Sequence, residues 1–280
     1  MLTLESLVAM RQWAARARQK GETIALVPTM GALHAGHLSL IQEARKRASR
    51  LVVSLFVNPT QFAPDEDLAR YPRTWKADLA LLESVPVDTV FAPSAEEMYP
   101  SGAQTWVEVG ELTRELCGCY RPGHFRGVTT VVAKLFNLVQ PHVAVFGAKD
   151  YQQLLAVRQM VRDLNFDVAI VAMPIVRDAD GLALSSRNAY LSADERRRAL
   201  SLSRGLRAAA ALFAQGERNP RLLAAAVHRE LASAEVEPQY VEVRDAVNLA
   251  AVERVEGAVV VAVAAVIGTT RLIDNVVLGQ

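Results

Sequence analysis

Short apolar runs rich in β-branched residues alternate with amphipathic stretches along the first two thirds of the chain. The apolar runs are nearly continuous, which is typical of strands buried on both faces of a parallel sheet. They fall at residues 24–27, 51–58, 87–92, 142–147 and 168–176. Stretches with helical spacing fall between them, at residues 38–48, 75–82, 128–139 and 151–164. This alternation predicts an α/β domain with a doubly wound parallel sheet over residues 1–176.

The pattern changes in the last third of the chain. A polar connector is followed by Ser192 and Glu195, which predict a capping box at the start of a helix. A second helix is predicted after the turn at residues 216–220. Strand-like runs then fall at residues 239–245, 258–268 and 271–278. These elements predict a smaller C-terminal α+β domain over residues 177–280.

The composition narrows the class of protein. The 280 residues are 51% hydrophobic, which is enough for a large core, and the net charge of +1 argues against a general nucleic-acid binder. The longest apolar run is too short to cross a bilayer as a helix, and Glu5 precedes the first arginines, the reverse of a signal peptide. Cys117 and Cys119 are too close in sequence for a structural disulfide. We therefore expect a cytoplasmic protein that binds neither nucleic acid nor membranes.

The string PTMGALHAGH, residues 28–37, follows the first predicted strand. Ligands of open α/β sheets bind beyond the carboxyl ends of the strands, and a helix starting near Gly36 or His37 would direct free backbone N–H groups there. His34 and His37 would add imidazole donors, so the motif predicts a phosphate site. Two other interpretations stay open. The H-x-x-H pair could be half of a metal site, although no further ligand lies nearby in the sequence, or the histidines could simply cap the helix or fill the core.

Polar side chains also follow the later strands. Asn58 and Gln61 offer amides to a hydroxyl or carboxylate, or belong to an ordinary Asn-Pro turn. Lys149 would neutralise a phosphate or carboxylate at the end of another strand. Asp150 suits either a helix N-cap or ribose hydroxyls, and Gln153 lies on the same helix face.

Two further segments carry groups that bind anions. The string SSR at residues 185–187 can donate to phosphate oxygens, but it is also common in solvated turns. Arg121, His124 and Arg126 could meet anions at a glycine-rich helix start, or remain solvated charges. The residues alone leave both alternatives open.

These motifs, in this order and spacing, resemble the pantothenate synthetase (pantoate–β-alanine ligase) family over almost the whole chain. The matching strings are PTMGALHAGH, FVNPTQF, RPGHFRGV, FGAKDYQQL and GLALSSRNAYL, and YPRT and RLIDN also fit. The first string is similar to the H-x-G-H signature of adenylyl-transferring enzymes. The resemblance implies a Rossmann-like fold, with the C-terminal domain as a lid, and a homodimer.

The resemblance also implies a reaction. (R)-Pantoate and ATP would give pantoyl adenylate and pyrophosphate, and β-alanine would convert the adenylate to pantothenate and AMP, a step of vitamin B5 and coenzyme A biosynthesis. Mg²⁺ would accompany ATP. The absence of acidic residues from the first motif suits this chemistry, because a carboxylate must approach the ATP phosphates.

Site residues are implied by the same motifs. ATP contacts are implied for Met30, Gly31, Ala32, Leu33, His34, Ala35, Gly36, His37, Gly147, Ala148, Lys149, Asp150, Val176, Leu184, Ser185, Ser186 and Arg187. Gln61 and Gln153 would hold pantoate, and Gln61 would also border β-alanine. The catalytic candidates are His34, His37 and Lys149, with His37 favoured as the proton donor toward pyrophosphate.

The chain departs from the family pattern at two places. Ala148 stands where many members carry glutamate, which argues against a catalytic duty for that side chain. Cys117, Cys119 and Tyr120 stand where other members often have acidic or small residues, which would alter local packing or a subunit contact.

Two other functions fit parts of the pattern. A nucleotidyltransferase acting on a phosphorylated alcohol shares H-x-G-H and would leave a stable nucleotidyl product instead of AMP. A non-catalytic nucleotide-binding module would bind ATP without turnover. A dehydrogenase fits less well, because the chain lacks the dinucleotide glycine fingerprint.

Overall fold

The first part of the chain forms a parallel sheet with helices on both faces. In the computed structural model, which describes residues 1–64 and 66–279, the six strands lie in the order β1-β4-β3-β2-β5-β6, and every neighbouring pair is parallel. The strands are β1 (Leu2–Leu4), β2 (Ile24–Thr29), β3 (Arg50–Leu55), β4 (Thr89–Phe91), β5 (Val143–Gly147) and β6 (Ala169–Met173). The helices are α1 (Leu7–Gln19), α2 (Ala35–Arg47), α3 (Trp75–Glu83), α4 (Ala95–Met98), α5 (Cys117–Tyr120), α6 (His124–Val139) and α7 (Tyr151–Asp163).

This arrangement confirms the predicted Rossmann-like, doubly wound sheet. Alternate side chains of the strands enter different cores: Leu26 and Val52 pack with α1, α6 and α7, whereas Val27 and Val53 pack with α2 and α3. The strand order reverses between β2 and β5, so the turns after these strands meet at one edge. Such a switch point is where open α/β sheets bind ligands.

The elements at the N-terminus were not predicted from the apolar pattern. Strand β1 has three residues and pairs with β4 at the edge of the sheet. Helix α1 begins almost at once, after Ser6, whose side chain caps it. A run this short gives too few alternations to reveal a strand.

The C-terminal elements form a second sheet and its helices. The helices are α8 (Ala193–Ala214) and α9 (Pro220–Ala232), and the strands are β7 (Pro238–Asp245), β8 (Val259–Ile267) and β9 (Thr270–Leu278), antiparallel in the order β7-β8-β9. The predicted capping box of Ser192 and Glu195 opens α8. Buried side chains between Leu182 and Leu278 form a core of their own. The division between residues 176 and 177 stays a prediction.

Several contacts join the C-terminal sheet to the first unit. The Asn275 amide donates to the carbonyls of Ala148, at 3.0 Å, and Lys149, at 2.9 Å. The thiol of Cys117 lies 3.1 Å from the hydroxyl of Tyr240 on β7, and the ring of Tyr120 packs on the same tyrosine. The unusual Cys117 and Tyr120 therefore contact the C-terminal sheet of their own chain, and both cysteines are free thiols.

None of the helices within the described residues is both long and apolar enough to cross a membrane.

Candidate active site

The first motif forms the N-terminal cap of α2. The helix begins at Ala35, slightly earlier than predicted, and His34 is its N-cap. The backbone N–H of Gly36 donates to His34 Nδ1 at 3.2 Å, and the backbone N–H of His34 donates to His37 Nδ1 at 3.3 Å. Because both Nδ1 atoms accept hydrogen bonds, each neutral ring carries its proton on Nε2. The capping interpretation is thus correct, and both rings also line the main cleft.

Both histidines are held neutral. Burial lowers the pKa of His34, and the nearby Lys149 lowers it further. Burial and the neighbouring His34 ring lower the pKa of His37 to about 3. At neutral pH the two Nε2–H groups are therefore hydrogen-bond donors without a full charge, and the role of His37 as a proton donor stays a prediction.

A buried acid lies behind the motif, although the motif itself contains none. Asp78 on α3 accepts the backbone N–H of Ala32 at 2.9 Å and that of Leu33 at 2.8 Å. Gly31 has φ of +81°, and a Cβ there would lie 3.0 Å from the Asp78 carboxylate, so the turn needs glycine. These N–H groups hold the loop to α3 and are not directed at a ligand. Sequence reasoning missed Asp78 because it lies far along the chain.

The main cleft lies beyond the carboxyl ends of β2, β3, β5 and β6 and has a volume of about 240 Å³. The predicted site residues that line it are Met30, His34, Gly36, His37, Gln61, Gly147, Lys149, Asp150, Gln153, Val176, Leu184, Ser185, Ser186 and Arg187. The other predicted residues, Gly31, Ala32, Leu33, Ala35 and Ala148, do not line it. The structure thus brings the separate motifs to one cavity, while their contacts with ATP stay predictions.

Lys149 and Asp150 occupy a single turn between β5 and α7. Asp150 is the residue before α7, but its side chain makes no capping hydrogen bond and is open to the cleft. Desolvation by the surrounding protein would raise the pKa of Asp150. The positive charges of Lys149 and Arg187 outweigh this effect and hold that pKa below its ordinary value. The turn therefore presents an ammonium and an ionised carboxylate side by side.

Arg187 reaches the cleft as part of an ion pair. Its Nε and Nη2 donate to the carboxylate of Asp67 at 2.7 Å and 2.8 Å, and its guanidinium lies 5.4 Å from the centre of the Tyr71 ring. Burial would raise the pKa of Asp67, but Arg187 keeps it below its ordinary value. Arg187 is thereby fixed in orientation, and Asp67 is a site residue that the sequence did not indicate.

The two serines before Arg187 are engaged with backbone groups. Ser185 Oγ accepts the N–H of Arg187 at 3.3 Å, and Ser186 Oγ donates to the carbonyl of Ala32 at 3.0 Å. The second bond ties this segment to the first motif across the cleft.

A hydrogen-bond network fixes the turn that carries Gln61. His124 Nδ1 donates to the Gln61 carbonyl at 2.7 Å, so its Nε2 accepts from Arg121 Nη1 at 3.0 Å. The remaining Arg121 donors include a two-point pair with Glu66, at 2.6 Å and 2.7 Å. Burial and Arg121 lower the pKa of His124 to about 3, so this histidine is neutral. Arg121 and His124 therefore position Gln61, and Arg126 stacks on Trp106 instead of joining them.

Asn58 fixes the side chain of Gln61. Its amide donates to Gln61 Oε1 at 3.1 Å and to the Gly127 carbonyl at 3.1 Å. A Cβ at Gly127 would lie 2.3 Å from the Thr60 carbonyl, so only glycine lets α6 approach this turn so closely. The Gln61 amide is consequently held in place before any ligand enters.

The structure offers no support for the zinc interpretation. Among residues 1–64 and 66–279, no group of three or more His, Cys, Asp or Glu side chains is placed to hold a metal ion. The two imidazoles use their Nδ1 atoms to cap α2 instead.

Comparison with known proteins gives a consistent result. Residues 2–277 match the family described as pantoate-beta-alanine ligase. The chain is 54% identical to pantothenate synthetase of Geobacter sulfurreducens, covering 100% of this chain and 99% of that protein. It is 53% identical to pantothenate synthetase of Moorella thermoacetica, covering 99% of each.

Two solved structures are also similar. Pantothenate synthetase from Thermus thermophilus has a TM-score of 0.95 and 45% identity, with 100% of each chain covered. Pantoate-beta-alanine ligase from Francisella tularensis, complexed with beta-gamma ATP and beta-alanine, has a TM-score of 0.81 and 32% identity, covering 99% of this chain and 97% of that one.

Proposed function

This chain belongs to the pantoate–β-alanine ligase family and catalyses ATP-dependent formation of pantothenate, and we propose that its main cleft performs the reaction through a pantoyl adenylate. The observation that carries the proposal is the meeting of four motifs in one cavity. They contribute the His34–His37 cap, the Gln61 turn, the Lys149–Asp150 turn and the segment before Arg187.

In the first step a carboxylate oxygen of pantoate attacks the α-phosphorus of ATP, and the bond to pyrophosphate breaks. Two like charges at roughly 4 Å repel by about 4 kcal/mol at an effective dielectric of about 20. Lys149 and the N-terminus of α2 supply the opposing positive potential, and Arg187, whose charge is balanced by Asp67, adds its Nη1 donors. The Nε2–H groups of the two histidines donate to phosphate oxygens as charge moves onto pyrophosphate.

In the second step the free amine of β-alanine attacks the acyl carbon, and AMP leaves. Gln61 and Gln153 hold the pantoyl group, with Gln61 also beside the amine. Because the adenylate reacts with water, the cleft must exclude it until the amine arrives. The C-terminal unit, acting as a lid, serves this purpose, and the Asn275 bonds to the Lys149 turn give it a direct connection to the site.

Mg²⁺ enters this scheme together with ATP. Mg²⁺ is commonly bound by one or two carboxylates plus substrate phosphates, and it keeps several waters. The ionised Asp150, which lines the cleft, fits such a role, with most of the ligands coming from the nucleotide. The ion would offset phosphate charge and orient the triphosphate.

Membership of the family supports a homodimer in the cytoplasm. Sedimentation equilibrium of the purified chain tests for the homodimer, and a mass of one chain at micromolar concentration would contradict it. Fractionation of cells that produce the protein tests the second point.

An AMP-formation assay tests the reaction. Pantoate, ATP and Mg²⁺ are supplied with β-alanine or with other amines, and AMP is expected with β-alanine only. A stable nucleotidyl product would indicate a nucleotidyltransferase instead. ATP binding without turnover would indicate a non-catalytic module.

The role of Gln153 has its own test. Gln153→Ala is expected to raise the KM for pantoate more than the KM for ATP, because the amide contacts only pantoate in the proposed site. Equal changes in both KM values would contradict this assignment.

A further inference from the structure

A chain of hydrogen bonds runs from Tyr99, the residue directly after α4, to the amide of Asn58. The hydroxyl of Tyr99 donates to Asn58 Oδ1 at 2.9 Å, and Thr60 Oγ1 donates to the same oxygen at 2.9 Å. Each hydroxyl has a single hydrogen, and the two hydroxyl oxygens are 3.3 Å apart, farther than either is from Oδ1. Both hydrogens therefore point at Asn58 and occupy the two lone pairs of its amide oxygen.

The direction of the Asn58 amide follows from two backbone groups. A backbone N–H can only donate, and that of Thr60 lies 3.4 Å from Oδ1. A backbone carbonyl can only accept, and that of Gly127 accepts from Nδ2 at 3.1 Å, while the other Nδ2 hydrogen goes to Gln61 Oε1. Asn58 is 1% exposed, so water has little access to a reversed amide. A reversed amide would set two oxygens, Oδ1 and the Gly127 carbonyl, against each other.

This order determines which end of the Gln61 amide is offered to a ligand. Because Oε1 is used by Asn58, the Nε2 group is left for the main cleft, which Gln61 lines. Among residues 1–64 and 66–279, its hydrogen-bond partner is Met30 Sδ alone, at 3.0 Å, and a thioether is a weak acceptor. Gln61 thus presents hydrogens, which suit the oxygens of a carboxylate or hydroxyl, and not a carbonyl oxygen, which would repel a carboxylate.

We propose that Tyr99 is a positioning residue that, together with Thr60, sets the direction of the Gln61 amide and thereby the affinity for pantoate. The inference rests on the proposed function, in which Gln61 holds the pantoyl group. Neither Tyr99 nor Thr60 lines the main cleft, so both act through Asn58. Burial raises the pKa of Tyr99, so its hydroxyl keeps the hydrogen that it donates.

The test removes the two hydroxyls singly and together. Tyr99→Phe and Thr60→Val are each expected to raise the KM for pantoate by about fivefold, the scale of one hydrogen bond, with little change in the KM for ATP. The double variant is expected to raise the pantoate KM by about a hundredfold, more than the product of the single effects, because either hydroxyl alone still holds the Asn58 oxygen. A role in folding alone would change both KM values together.

Tyr151→Phe is the matched control. The Tyr151 hydroxyl donates to the Ala246 carbonyl at 2.8 Å, and Tyr151 does not line the main cleft. This variant therefore loses one tyrosine hydrogen bond outside the chain that ends at Gln61. Its melting temperature is expected to fall about as much as that of Tyr99→Phe, while its pantoate KM stays unchanged.

Three results would overturn the proposal: an unchanged pantoate KM in the double variant, a KM for ATP that rises as much as that for pantoate, or an equal rise of the pantoate KM in Tyr151→Phe. If the double variant does not fold, an unchanged pantoate KM in Tyr99→Phe would overturn it. Absence of pantoate-dependent AMP formation by the unaltered enzyme would instead refute the proposed function.

Discussion

At the scale of single residues, the two histidines of the first motif have two duties at once. Their Nδ1 atoms accept backbone N–H groups of the α2 cap, which leaves the Nε2–H groups for a ligand. Burial lowers the pKa of both rings; Lys149 lowers that of His34 further, and the His34 ring, whose centre lies 4.1 Å away, lowers that of His37 further. In the proposed site, these two donors would meet the ATP phosphates without a charge that has to be desolvated.

His37→Ala is predicted to slow adenylate formation by about a hundredfold, the effect of losing a preorganised donor to developing charge. His37→Asn is expected to recover part of this loss, because its amide can both accept and donate. The measurement is single-turnover release of pyrophosphate. His228→Ala, at an exposed position of α9, is the control. Near-normal release by His37→Ala would contradict the prediction.

His124 makes stability depend on pH. The imidazole takes up a proton near pH 6.5 in the unfolded chain but only near about 3 in the folded protein. The unfolded state therefore binds more protons below pH 6.5, so the free energy of unfolding falls as pH decreases, by at most about 1.4 kcal/mol per pH unit for this group.

Urea unfolding between pH 6.5 and 5, above the main range of carboxyl titration, measures this effect. His124→Gln, which can accept from Arg121 and donate to the Gln61 carbonyl, is expected to show a smaller slope. Some slope remains, because His37 is also held neutral. An identical slope in both proteins would show that His124 is not the linked group.

At the scale of secondary structure elements, the sequence predicted the features that depend on residues close together in the chain. Buried strands are recognisable by their apolar runs. Ligands of open α/β sheets bind beyond the carboxyl ends of the strands, so the polar motifs at those ends could be identified as well. Partners distant in the chain were missed: Asp78 is 46 residues from Ala32, and Asp67 is 120 residues from Arg187. No local pattern shows which acid will meet which loop, so these acidic partners could be identified only from the structure.

The contact between α3 and the first motif gives a prediction at this scale. Asp78→Asn replaces one acceptor by an NH₂ group facing the backbone N–H groups of Ala32 and Leu33. We expect a loss of about 2–3 kcal/mol in the free energy of unfolding and slower adenylate formation, because the loop before α2 is released. Urea unfolding and pyrophosphate release measure the two effects. Asp163→Asn, at an exposed position, is the control, and unchanged stability of Asp78→Asn would refute the argument.

At the scale of the whole molecule, the C-terminal sheet is connected to the cleft through β9. Asp274, whose side chain is 3% exposed, accepts two hydrogen bonds from Arg177, at 2.6 Å and 2.9 Å. The next residue, Asn275, holds the carbonyls of the Lys149 turn. The pair therefore fixes the strand that supports a catalytic candidate, so its loss is expected to affect both stability and catalysis.

Removing one partner of a fully buried ion pair typically costs about 3–5 kcal/mol, and the cost is lower here because the Arg177 side chain left behind is 29% exposed. Asp274→Leu is accordingly predicted to lower the free energy of unfolding by about 2 kcal/mol, the scale of hydrogen bonds to a charged group, and to slow AMP formation. Adding Arg177→Met to it removes the unpaired guanidinium, so the double variant is expected to be more stable than Asp274→Leu alone. Urea unfolding of the two single variants and the double variant measures the coupling. Strictly additive losses of stability in the double variant would mean that Arg177 and Asp274 do not act as a unit. If AMP formation by the double variant recovers together with its stability, the C-terminal sheet supports catalysis by holding the Lys149 turn in place.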